Sequence, residues 1–167
     1  QIVALPRVIS MSRREADMVI GVSPPKAGRL VVQKICDYKL WVAASGQSAQ
    51  NVIGYIPDMI FDSELDYLGD LGLPKVRLSS NSIAVQMNLL RQGAGMGVVH
   101  AFAMPSAPEL RRTKEEFELT RSYYLIRAKE DQKDLRLSRI AELLTAAVKS
   151  EVVTLERAAL GKADHSA

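Results

Sequence analysis

The sequence predicts an α/β chain, and three stretches carry the prediction. Residues 78–104 read as a small polar loop, an amphipathic helix, a glycine stop and a strand. Residues 2–22 read as a strand, one helical turn and a second strand, and residues 134–149 hold the strongest helical periodicity in the chain. Short apolar strands alternating with amphipathic helices are the pattern of layered α/β architecture.

Taken in order, Ile2, Val3, Ala4 and Leu5 form an apolar run ended by Pro6, the signature of a buried strand. Ser12 and Glu15 stand at capping-box spacing for a single turn. Residues 18–22 (MVIGV) form another apolar strand, completing a βαβ pattern. Ser23, Pro24 and Pro25 then break regular structure. Residues 30–35 and 39–44 are two extended segments joined through Cys36, Asp37 and Tyr38, and fit one long strand running between two lobes. A polar spacer at 45–51 leads to a short strand at 52–56, closed by Pro57 and Asp58. Residues 59–66 fit a partly exposed strand or a turn, residues 66–72 a loop with helical character, and residues 75–78 a strand.

That strand delivers Ser79, Ser80 and Asn81, all good helix N-cap types. Ile83, Met87 and Leu90 give the following helix one apolar face, and Gly93 sits where a left-handed C-cap residue is wanted. Val98 and Val99 begin the next strand. The polar loop has two readings: an ordinary helix cap, or an anion site built from free N–H groups and hydroxyls. The run GAGMG is not a dinucleotide loop, because its glycines follow a helix and precede a strand. A Pro- and charge-rich segment at 105–118 precedes a β-rich stretch at 119–127. The helix at 134–149 carries Leu137, Ile140, Leu144 and Val148 along one stripe, residues 152–160 are placed to continue it, and residues 161–167 are expected to fray.

Composition narrows the function classes. The chain has 167 residues and 47% hydrophobic content, enough for a packed core. Its formal charge of +3 is spread among interspersed acids, with no basic stripe carrying aromatics, which argues against nucleic-acid binding by this segment. The single cysteine, Cys36, excludes an internal disulfide framework and fits a reducing compartment. No apolar run approaches the roughly 20 residues of a membrane span. The abrupt start in a strand suggests a fragment. His100 and His165 are the only histidines, and a lone strand histidine such as His100 reads first as a structural residue. Asp62, Glu64 and Asp66 alternate but lack the glycine and closing glutamate of a calcium loop. No catalytic pair, metal-ligand set or cofactor motif is visible, so the chain reads as a binder: not an enzyme, with no cofactor and no metal.

The ordered set SRREADMVIGVSPP, KLWVAAS, IGYIPDMIFDSELDYL, SSNSIAVQMNLLRQGAGMGVV and ELTRSYYLI, with a closing amphipathic helix, resembles the effector-binding domain of LysR-type transcriptional regulators. The resemblance implies a two-lobed, type II periplasmic-binding-protein-like α/β fold, with mixed, mostly parallel sheets and two crossing strands. Lobe one would comprise residues 1–37 and 126–160, lobe two residues 38–125, and residues 161–167 a disordered tail, with hinges near 36–38 and 125–127. It further implies a cytoplasmic regulatory domain that binds a small polar or anionic effector between the lobes and forms a homodimer or higher homo-oligomer. A transporter's solute-binding protein of the same fold is the alternative. Carried over residue by residue, the implied effector contacts are Val22 and Ser23 in lobe one, and Tyr55, Ile56, Pro57, Ser79, Ser80 and Asn81 in lobe two. A second reading of Tyr55 is a half-buried strand residue. The family's N-terminal winged helix-turn-helix is absent, so DNA would be met only through that missing part, and no membrane partner is implied. The first strand and helix of lobe one are missing too. In the family that strand lies between the equivalents of residues 2–5 and 18–22, so a further segment or a partner chain is expected to fill its place.

Overall fold

A computed structural model describes residues 1–4, 15–25, 27–46, 51–60, 67–68 and 75–163. Its centre is one long strand. β1 (Met18–Gly21) precedes β2 (Leu30–Ala44), whose 15 residues join the two extended segments into a single element. β3 (Val52–Gly54), β4 (Val76–Ser79), β5 (Met96–His100), β6 (Arg111–Arg112) and β7 (Leu119–Ala128) complete a seven-stranded sheet, and α1 (Ile83–Arg91) and α2 (Leu135–Ala163) flank it. The order is β1-β7-β2-β5-β3-β4, with β6 also on β2.

β2 and β7 pair antiparallel from Leu30↔Ala128 to Leu40↔Leu119, so the two crossing strands are each other's partner along nearly their whole length. Beyond Leu40 the other edge of β2 pairs with β5, from Leu40↔His100 to Ala44↔Met96. The ladder slips between Lys34 and Cys36. An extra residue there lets Ile35 and Cys36 both be buried in succession, which strict alternation forbids. The β3–β4 and β3–β5 pairs are parallel, and the pairs made by β1, β2 and β7 are antiparallel. The sheet is therefore mixed, with a smaller parallel share than the sequence suggests, because the crossing strands bond to one another.

The GAGMG segment follows from close packing. Gly93 takes φ +76° to end α1. At Gly97 an added Cβ would lie 2.8 Å from the Ile53 carbonyl oxygen, so a side chain there would push β5 off β3. Ser45 Oγ donates to the Leu90 carbonyl at 2.8 Å, satisfying a group that the helix end leaves open.

Helix α2 begins at a capping Asp134, whose Oδ1 accepts from the Arg136 and Leu137 N–H groups at 2.8 and 3.2 Å. It runs about 43 Å at 1.5 Å per residue and touches both parts of the core. Ala141 and Val152 pack with Cys36, Tyr38, Leu40, Val42 and Leu125. Ala159 packs with Trp41, Ile53, Leu90 and Met104 on the other face. Between them, Glu156 Oε1 accepts the Lys39 N–H at 2.6 Å, just past the last β2–β5 pair.

Several expectations change. Gln1–Ala4 form no strand, and Ile2 is 97% exposed. Among the described residues β1 pairs with β7 alone, so nothing there covers that apolar run. The expected βαβ unit is not seen; residues 5–14, with the Ser12 turn, lie outside the described residues. The strand predicted at 52–56 stops at Gly54, because Pro57 opens a 3₁₀ turn, Pro57–Met59. Residues 61–66 and 69–74 lie outside the described residues. The N-cap position of helix α1 is Ser82, without a side-chain capping bond, rather than Ser79, Ser80 or Asn81. The buried stripe of α2 is Ala141, Val152 and Ala159, whereas Ile140 is exposed; the helix continues through Gly161 to Ala163, and residues 164–167 of the expected tail lie outside the described residues.

Candidate functional site

After Gly21, Val22 and Ser23 leave the end of β1 and run beside β7, whose register there is Gly21↔Tyr124. Val22, Ser23 and Pro24 form one wall of a groove of about 140 Å³, and Thr120, Arg121, Ser122 and Tyr124 form the other. Alternation along β7 puts Thr120, Ser122 and Tyr124 on one face and Arg121 on the other, level with Tyr38. The Ser122 hydroxyl donates to Asp37 Oδ1 at 2.5 Å, and Lys34 Nζ meets the same oxygen at 2.6 Å. The Lys34 ammonium, and next the Ser122 hydroxyl, hold the Asp37 carboxyl below its ordinary range. The acid behind the groove is thus ionised and already matched by a cation.

The second predicted group assembles separately. Gly54 lies opposite Ser79, and the Ser80 N–H donates to the Gly54 carbonyl at 3.0 Å, so the β3 and β4 ends are tied together. Ser80 Oγ accepts the Ser82 N–H at 3.1 Å, and the buried Gln86 donates its Nε2 to the Ser80 carbonyl at 2.8 Å. Ser80 therefore uses its hydroxyl to hold the loop. Ser79 is exposed, Asn81 is half-buried, and Ile56 and Pro57 form the start of the 3₁₀ turn. Tyr55 is half-buried and sits edge-on to Tyr67, with centroids 6.1 Å apart. Two strands (β2 and β5) stand between this group and the groove, which β7 itself lines, in the sheet order. Val22 and Ser23 meet β7; Tyr55, Ile56, Pro57, Ser79, Ser80 and Asn81 gather at the β3–β4 end.

An aromatic cluster occupies the middle. Tyr38 stacks on Tyr123 at 4.3 Å, and His100 lies 5.2 Å from Tyr38 and 4.9 Å from Phe102. Burial pushes the His100 imidazole down to about 4, so it is neutral at physiological pH. Burial raises the phenols of Tyr38, Tyr55 and Tyr67, and pushes Tyr123 up to about 12. The Tyr38 and Tyr67 hydroxyls are buried and face each other. Cys36 is buried and its thiol is pushed up by desolvation, the opposite of a reactive thiolate.

The sequence reading missed Thr120, Arg121, Ser122 and Tyr124, having treated β7 only as a crossing strand. The signal was present: in LTRSYYLI, three consecutive polar residues, Thr120, Arg121 and Ser122, interrupt an otherwise apolar and aromatic β-rich run.

The family model of the LysR substrate binding domain matches residues 5–149. The chain belongs to this family. A LysR substrate-binding domain has the two-lobed, type II periplasmic-binding-protein-like fold, and the mixed sheet with flanking helices is its α/β framework. Full-length LysG from Corynebacterium glutamicum, solved with bound effector Arg, is similar with TM-score 0.59 at 18% identity, over 82% of this chain and 52% of its own. The regulatory domain of MetR from Neisseria meningitidis gives TM-score 0.64 at 15% identity, over 85% of this chain and 74% of its own. A Cys-to-Ser OxyR of C. glutamicum, solved with hydrogen peroxide bound, gives TM-score 0.64 at 15% identity, over 89% and 54%. The LysR domain described here thus spans about half the length of LysG. No curated protein matches it. Among its described residues, no helix is long and apolar enough to cross a membrane.

Proposed function

We propose that this chain is the sensing part of a cytoplasmic, bacterial LysR-type transcriptional regulator, binding a small polar or anionic effector between lobes formed by residues 1–37 with 126–160 and by residues 38–125. The family match over residues 5–149 carries the reading. The groove at the carboxyl end of β1 supports it, since ligands of open α/β sheets lie beyond strand ends. Val22 and Ser23 line one side of the site, and Tyr55, Ile56, Pro57, Ser79, Ser80 and Asn81 supply the other lobe's wall. Effector binding shifts the relative arrangement of lobes or of copies in a homo-oligomer, and a separate DNA-binding domain reads the change. The β2 bulge at Lys34–Cys36 is the place where the crossing strands give.

A thermal-shift screen of the chain against small carboxylates and aromatic acids tests this. A dose-dependent rise in melting temperature, lost in Ser23→Ala, is the expected result. A folded chain unmoved by every compound would count against a small-molecule sensor.

A further inference from the structure

We propose that the outward face of α2 docks on the same face of a second copy of this chain, the two helices running antiparallel. The helix buries Ala141, Val152 and Ala159, and a second seam runs along its opposite side. Leu143, Ala146, Ser150, Val153, Arg157 and Leu160 recur at alternating spacings of three and four, the seven-residue period of a helix–helix seam. All six are exposed, and the three large apolar ones, Leu143, Val153 and Leu160, are 54, 44 and 43% exposed. A single exposed apolar residue needs no explanation, but three on one stripe mark a contact surface. Val153, Arg157 and Leu160 lie beyond residue 149, where the family match ends, so the shared LysR framework does not account for them.

The seam complements itself when reversed. A two-fold axis between Ser150 and Val153 sets Ser150 against the partner's Val153, Ala146 against the partner's Arg157 and Leu143 against the partner's Leu160. Small side chains thus meet large ones, with leucine pairs closing both ends. Charge selects the same direction. Lys149 and Glu156, seven residues apart, flank one side of the seam, so the reversed pairing brings each Lys149 beside the partner's Glu156, twice by symmetry. Glu156 gives Oε1 to the Lys39 N–H, and its Oε2 remains for the partner. A parallel pair would instead set Arg157 beside the partner's Arg157. From Leu143 to Leu160 the seam runs about 26 Å at 1.5 Å per residue. One helix pair of this length buries less than the roughly 1,200 Å² at the low end of specific interfaces, so the dimer is weak, with Kd on the order of 100 μM.

The test is sedimentation velocity of the chain from about 10 μM to about 1 mM, which should show reversible monomer–dimer exchange. Val153→Glu and Leu160→Glu each place a carboxylate in the seam at an exposed position. Each should weaken the dimer about tenfold or more while the helical circular dichroism stays unchanged. Lys149→Glu should weaken it by a smaller factor. Direction is read by cross-linking: Ser150→Cys and Val153→Cys chains, mixed and oxidised, should couple to each other faster than either couples to itself. The native Cys36 is buried and stays out of that reaction. A chain monomeric throughout the range, a dimer untouched by Val153→Glu, or Ser150→Cys coupling mainly to itself overturns the proposal. Neither the groove nor an effector enters the contact, so the sensing role stands or falls separately.

Discussion

The two ends of β2 are one strand in two environments. At the Leu40–Ala44 end, β5 and β6 join the ladder, both faces are covered, and Leu40 is 0% exposed. At the Leu30–Lys34 end, β7 is the partner among the described residues, and Val32 is 39% exposed although as apolar as Val42. Similar residue types are buried or not according to what packs on the faces, so hydrophobicity alone ranks neither end. The Leu40–Ala44 end is the more deeply buried of the two.

The comparison breaks most directly by truncation. Leu40→Ala should cost about 2–5 kcal/mol, and Val32→Ala less than about 1, read from denaturant midpoints. Equal losses would mean that a partner or further segment covers the near end in solution. The next test uses His100, which closes the β5 ladder against Leu40. Its pKa near 4 lies below the unfolded value near 6.5, so the unfolded chain binds more protons. Stability should fall as pH drops below about 6.5, by roughly 2 kcal/mol between pH 7 and pH 5, with the loss complete below the folded pKa. His100→Leu should flatten that profile, and an unchanged profile would assign the acid sensitivity to other groups. Glu156→Ala removes the acceptor of the Lys39 N–H and should cost about 1–2 kcal/mol, with faster amide exchange at Lys39. An unaltered exchange rate would mean that α2 does not pin this part of β2. The smallest effect is expected for Tyr38→Phe, which removes one of two buried hydroxyls that face each other: a change within about 1 kcal/mol, read from denaturant midpoints.

Much of the fold was legible because it is local. The alternation and β-branching of residues 30–44 gave β2, the spacing of Ile83, Met87 and Leu90 gave α1, and Gly93 marked its end. What escaped was set by partners distant in sequence. The run at Ile2 looks buried, but burial requires a neighbouring strand that composition cannot supply. Ile140 fits the periodic stripe of α2, yet the helix crosses from one core cluster to the other and turns Ala141 and Ala159 inward instead. At the candidate site, Val22 and Ser23 were legible from the break after a strand, and Arg121 was not. Its place in the groove depends on the β1–β7 register, a pairing between segments about a hundred residues apart.

Similarity to the LysR family ends at residue 149, but α2 runs on to Ala163. A recombinant boundary drawn at the end of similarity would discard Val152, Glu156 and Ala159 together. It would open the wall beside Trp41, orphan the Lys39 amide, and leave half a helix with little to hold it. Such a truncated product should aggregate on expression, and the insolubility would be mistaken for a property of the sensor rather than of the cut.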